Sequence, residues 1–124
     1  MKKWIPFLLS FLILSGCGTQ QAANGYQQIT MDEAITLMEE EKDSIILDVR
    51  TQDEYSESHI PGAVNIPNET IGTDEIPELP DKEQLILVYC RSGNRSKQAS
   101  EKLAALGYTN VKEFGGINEW PGET

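Results

Sequence analysis

Apolar and polar positions divide the chain into three regimes. Trp4 to Leu14 is almost wholly apolar, interrupted only by Pro6 and Ser10, and it follows Lys2 and Lys3. Spanning a bilayer takes about 20 apolar residues, so this run is too short for a membrane helix. A basic start before an apolar stretch of this length predicts a secretory signal. Gly18 to Gln28 is polar, with Gly, Asn and Gln and little to bury, and predicts a flexible tether.

From Ile29 onward helical and strand periods alternate. Thr30 followed by Glu33 is a capping-box spacing that opens a helix, with Ala34, Ile35, Leu37 and Met38 as its apolar stripe. Ser44 to Val49 is a short apolar run that predicts a buried strand. Thr51 and Glu54 repeat the capping spacing and predict a short helix that includes Tyr55. Pro61-Gly62 marks a turn and Ala63 to Ile66 a short strand. Asn68 to Lys82, with its prolines and acids, predicts irregular chain with a helical turn. Gln84 to Tyr89 holds Leu85-Ile86-Leu87-Val88 and is the strongest strand. Ser96 to Leu106 predicts a helix with Ala99, Leu103, Ala104 and Leu106 inward and Gly107 at its end. Val111 to Phe114 predicts a last strand, after which Gly115-Gly116 opens a closing loop. Strands alternating with helices predict an α/β domain with a parallel, helix-covered sheet.

Composition narrows the function. The chain has 124 residues and is 24% charged and 39% hydrophobic, a globular balance. The formal net charge of −10 argues against nucleic acid as a partner, since phosphate binding needs a basic surface. Two Cys and one His cannot build a four-ligand structural zinc site, and two Cys cannot form a disulfide scaffold.

Leu14-Ser15-Gly16-Cys17, at the end of the apolar run, resembles the bacterial lipobox. That resemblance implies a signal peptide over residues 1–16, lipid on Cys17, a tether over 17–28 and a folded domain over 29–122. It places the chain outside the cytoplasm, anchored to a bacterial membrane through Cys17. Two or more acyl chains would make that anchoring stable. A disulfide from Cys17 to Cys90 would require an unlipidated Cys17 and is not expected.

The chemistry lies between the strongest strand and the following helix, in Cys90-Arg91-Ser92-Gly93-Asn94-Arg95-Ser96. In parallel α/β sheets ligands bind beyond the carboxyl ends of strands. A loop entering a helix there presents unpaired N–H groups at the positive end of the helix dipole, a setting that suits an anionic sulfur. Arg91, Arg95 and Lys97 make a local cationic spot in an acidic domain, and Gly93 supplies a backbone conformation closed to other residues. The combination suits a nucleophilic Cys90 acting on a small anion. A packing Cys at a strand end would need neither the flanking cations nor the Gly turn.

This loop resembles the active-site loop of rhodanese-domain sulfurtransferases. Leu47-Asp48-Val49-Arg50, Glu54-Tyr55 and His59-Ile60-Pro61-Gly62-Ala63-Val64-Asn65-Ile66-Pro67 resemble the family's N-terminal signature. Gly115-Gly116-Ile117 and Trp120 resemble its C-terminal signature. Ser58 stands where the family often has Gly before the His. The resemblance implies a five-stranded parallel sheet with helices on both faces. It further implies that Cys90 takes a sulfane sulfur from a donor such as thiosulfate, and that a thiol or cyanide then removes it. Backbone amides from Arg91 through Ser92, Gly93, Asn94 and Arg95 to Ser96 would stabilise the persulfide, and Arg91 and Arg95 would attract the anionic donor. Mercaptopyruvate fits less well, because the family's loops for that donor carry small uncharged residues at the arginine positions. No metal or organic cofactor is implied.

Asp48 and Arg50 would support the loop through hydrogen bonds, or form a local ion pair holding a strand end. His59 reads as a turn-stabilising residue more than as a general base. Cys-based phosphatases use a related loop with Arg at the sixth position after the Cys. Here that position is Ser96, and Arg95 stands at the fifth, which makes a tighter pocket suited to sulfur. The rival from another class is a persulfide carrier, redox sensor or docking module at the cell envelope. A monomer is the expected state.

Overall fold

The computed structural model describes residues 25–124. The expected signal peptide over 1–16, Cys17 and all but the last residues of the expected tether lie outside the described residues. The elements run β1 (Gln27–Gln28), α1 (Met31–Glu40), β2 (Ile45–Asp48), α2 (Gln52–Glu57), β3 (Val64–Asn65), β4 (Ile86–Cys90), α3 (Asn94–Ala105) and β5 (Val111–Gly116). Short 3-10 turns at Asn68–Thr70 and Ile117–Glu119 complete the order.

Both predicted capping boxes form. Thr30 Oγ1 accepts from Glu33 N, and Glu33 returns a carboxylate oxygen to Thr30 N; Thr51 and Glu54 do the same for α2. Each satisfies orphan donors of a first turn, an effect of about 1 kcal/mol per cap.

The strands form one parallel sheet in the order β1-β5-β4-β2-β3. β4 is central and fully buried, and its alternating side chains serve two cores. Ile86, Val88 and Cys90 pack with Leu47, Val49, Ala99 and Leu103 on the face covered by α3. Leu87 and Tyr89 pack with Ala34, Ile60 and Phe114 on the opposite face, toward α1 and α2. Ile86, Leu87 and Val88 are each 0% exposed. At about 1.5–3 kcal/mol for burying one such side chain, β4 is the most strongly held strand.

Four expectations change. Gln27–Gln28 is a strand, pairing with Lys112 and Glu113, within the stretch expected to be tether. Tyr26 is already buried, so the fold reaches upstream of Ile29. Polarity misled here: a two-residue edge strand needs backbone pairing, not apolar side chains.

Second, α3 starts at Asn94, with Gly93 as its N-cap and no side-chain capping bond. Ser96, the expected first residue of the helix, lies inside the first turn. Third, the inward stripe of α3 is Ser96, Ala99, Ser100 and Leu103, and Ala104 is half-buried, while Leu106, just past the helix end, packs half-buried against the same core as expected. Fourth, Gly115 and Gly116 extend β5, because a bulge between Val88 and Cys90 shifts the register and sets Gly116 opposite Cys90.

Candidate active site

Cys90 ends β4 at the carboxyl edge of the sheet, and its side chain faces α3. It is 1% exposed, lying at the base of the loop that leads into α3. Gly93 makes that return possible. Its φ of +120° is a conformation L side chains avoid, and its N–H donates to Cys90 Sγ at 3.0 Å. Behind it stand Asn94, Arg95 and Ser96. Their N–H groups belong to the first turn of a 12-residue helix that no side chain caps, so the helix start offers donors to an anion.

The loop is pressed onto the end of β5. A Cβ on Gly116 would fall 1.9 Å from the Arg91 carbonyl oxygen, so only glycine allows this approach. The same carbonyl accepts from Asn118 N at 3.2 Å. Gly116 thus fixes the floor of the Cys loop.

The two arginines are not free cations. Arg95 donates through Nη1 and Nη2 to the two carboxylate oxygens of Glu54, at 2.8 and 3.1 Å. Arg91 reaches Glu54 Oε2 through Nε at 3.1 Å and Nη2 at 2.9 Å. Arg95 is foremost in holding the Glu54 carboxyl well below the usual carboxylate range; burial opposes this, and Thr51 and Arg91 assist. Arg95 is raised in turn, first by its hydrogen bond to Glu54, against burial, with Coulombic attraction from Glu54 and then from Cys90. The expected cationic spot is therefore a clamp. α2 contributes a carboxylate that orients both guanidinium groups beside the Cys.

Asp48 and Arg50 lie at the end of β2 and form a buried ion pair at 2.6 Å. Arg50 also donates to Ser58 O at 2.7 Å, and Tyr89 donates its hydroxyl to Asp48 Oδ2 at 2.7 Å. Asn65 donates to the backbone carbonyls of both. Among the described residues these bonds brace β3, β4 and the end of α2, and none runs to residues 91–96. His59 hydrogen-bonds the Tyr55 carbonyl through Nδ1 at 2.9 Å and stacks on the Tyr55 ring, 3.8 Å between centroids. Its contacts are those of a turn brace.

One participant was missed. Glu113 on β5 is 2% exposed and accepts from Ser96 Oγ and, at 2.9 Å, from Gly115 N. Ser96 Oγ is in turn 3.4 Å from Cys90 Sγ. The signal was present in the alternation: Val111 and Glu113 share the inward face of one strand, and an inward Glu is rare without a partner. Beside it, a cavity of about 440 Å³ open to solvent is lined in part by Ser92, Gly93, Lys97, Glu113 and Gly115.

Comparison with known proteins places this arrangement. The rhodanese-like domain family model matches residues 30–123. Thiosulfate sulfurtransferase PspE of Escherichia coli (strain K12) is 38% identical over 73 residues, which is 59% of this chain and 70% of that protein. Thiosulfate sulfurtransferase GlpE of Coxiella burnetii is 36% identical over 96 residues, 77% of this chain and 87% of that protein. The solved structure of the human single-domain sulfurtransferase TSTD1 superposes with a TM-score of 0.67 at 25% identity, covering 75% of this chain and 93% of that one. Some relatives are much longer: the match spans 27% of the adenylyltransferase and sulfurtransferase UBA4 of Meyerozyma guilliermondii.

Proposed function

The chain belongs to the rhodanese-like domain family, and from that premise we propose that it is a sulfurtransferase working through a persulfide on Cys90. Thiosulfate is the proposed donor, and a thiol or cyanide the acceptor. The observation that carries this reading is Cys90 Sγ held by Gly93 N–H at the uncapped start of α3. Donors at this position stabilise negative charge on sulfur.

In the first half-reaction the Cys90 thiolate attacks the outer sulfur of thiosulfate. The S–S bond of thiosulfate breaks, sulfite leaves with the electron pair, and Cys90 carries the persulfide. In the second, the acceptor attacks the terminal sulfur and Cys90 departs as thiolate. This is a two-step covalent cycle. The amides of Asn94, Arg95 and Ser96 support the terminal sulfur, and Arg91 and Arg95 the donor's sulfonate oxygens. The assignment of Arg91 to Ser96 as the binding loop and Cys90 as nucleophile is part of the proposal.

The test is intact mass of the reduced protein before and after thiosulfate, with Cys90→Ser alongside. One added sulfur on the native chain only, removable by cyanide, is the expected result. No adduct on a Cys90 that still alkylates would overturn thiosulfate as the donor. A second reading, a persulfide carrier or docking module without turnover, is favoured by one feature: Glu54 already occupies both arginines. A stable adduct that cyanide and thiols leave in place would select it.

We also propose that the protein is lipidated on Cys17 and held at a bacterial membrane outside the cytoplasm, on the strength of Leu14-Ser15-Gly16-Cys17. Cys17→Ser should abolish processing and membrane retention; unchanged fractionation would refute the anchor.

A further inference from the structure

We propose that Glu113 is the proton acceptor for Cys90, acting through Ser96. The inference deepens the reading of Cys90 as nucleophile and rests on it.

Three observations carry it. Ser96 Oγ stands between the two groups, 3.4 Å from Cys90 Sγ and in a short hydrogen bond to Glu113 Oε2. Ser96 also lies 2.9 Å from Gly93 O and 3.3 Å from Gly115 O, but its single proton has its shortest path to the carboxylate. With that proton directed at Glu113, an oxygen lone pair faces the thiol. Second, Glu113 is a buried carboxyl with no ion pair among the described residues. A carboxylate buried without a cation is costly, and a structural role alone would be served as well by an amide. Third, Glu113 lies on the wall of the solvent-open cavity, which gives the proton an exit to water.

The step balances within the chain. The Cys90 S–H bond breaks as Ser96 Oγ takes the proton, while the Ser96 O–H proton passes to Glu113 Oε2. Cys90 becomes thiolate and Glu113 a neutral carboxyl. When sulfur leaves Cys90 at the end of the cycle, the thiolate recovers its proton by the reverse path. The groups hydrogen-bonded to Glu113 are Gln28 from β1, Ser96 from α3 and the Gly115 N–H of its own strand; Cys90 from β4 reaches it through Ser96, and Lys97 and Glu119 line the same cavity. Arg95 is coupled to Cys90 by Coulombic attraction.

Glu113→Gln keeps an acceptor for Ser96 and Gly115 but cannot take the proton. The measurement is the rate of Cys90 alkylation by iodoacetamide against pH on the full chain, read by mass on the tryptic peptide Glu83–Arg91. This readout does not require sulfur transfer, so it stands even if thiosulfate proves not to be the donor. The native chain should show a plateau through mildly acidic and neutral pH. Glu113→Gln should replace it with a single titration, slower by about tenfold or more at neutral pH. An unchanged profile would reduce Glu113 to a brace. A faster variant would mark it as only a repelling charge, and either result overturns the proposal. If Glu113→Gln does not fold, Ser96→Ala cuts the same path. It should lose the plateau too, and retention of the plateau refutes the relay.

Discussion

Glu54 grips Arg95 with both carboxylate oxygens, at 2.8 and 3.1 Å, and holds Arg91 with one of them. A residue in the first turn of α2 thereby fixes two side chains of a loop about forty positions later. The Glu54 carboxyl is lowered from its ordinary 4.5, chiefly by Arg95. A carboxyl lowered by folding adds stability that is fully present above its unfolded value and drains away as pH falls toward its folded one. Glu54→Gln should therefore destabilise the fold by about 1.5–3 kcal/mol at neutral pH, the range for hydrogen bonds to charged groups. The difference from the native chain should shrink as pH drops below the ordinary carboxylate range. Urea unfolding at neutral pH and at roughly pH 3 compares the full contribution with a point part-way down its decline. An equal difference at both would show that packing, not charge, is what Glu54 supplies.

Gly116 makes a sharper prediction. A Cβ there would meet the Arg91 carbonyl oxygen at 1.9 Å, its carbon at 2.3 Å and Ser92 N at 2.6 Å, all backbone atoms. No rotamer change relieves such a clash, so the loop must move. Gly116→Ala should cost about 1–3 kcal/mol, the usual range for overpacking, and should slow Cys90 alkylation because the Gly93 N–H leaves the sulfur. At Gly115 the space is open, yet the φ of +100° penalises a side chain on conformational grounds. Gly115→Ala should thus destabilise without displacing Arg91. Comparing alkylation rates of the two folded variants separates loop displacement from backbone strain.

Much of this site was legible in the chain, for physical reasons that differ by residue. Thr30, Thr51 and their partners three positions on announced two helix starts, because capping is local chemistry. Ile86 to Tyr89 announced the central strand, because a strand buried on both faces has no polar side. What stayed hidden depends on contacts between distant segments. Gln27–Gln28 forms a strand only because β5 offers an edge. Gly116 reads as a loop residue until Arg91 is seen against it. Arg91 and Arg95 read as free charge until Glu54 is folded beside them. Glu113 could have been found by counting inward positions on β5.

Asp48 and Arg50 supply the last prediction. Their ion pair is almost wholly removed from water, with side chains 0% and 3% exposed. Asp48 also accepts from Tyr89, whose phenol is pushed well above its ordinary value, first by burial and then by Asp48. Two buried charges stabilise each other only jointly, because each alone carries its full desolvation penalty. Arg50→Met leaves the Asp48 carboxylate in the core with Tyr89 as its remaining side-chain donor, and should cost about 3–5 kcal/mol. The double variant Asp48→Leu with Arg50→Met removes both charges and keeps apolar volume. It should be more stable than Arg50→Met alone, even though the Ser58 carbonyl and the Tyr89 hydroxyl lose partners. Denaturant unfolding of both single variants and the double variant closes the cycle. If the double variant costs the sum of its singles, the two charges act independently, and the pair is a bystander at the end of β2.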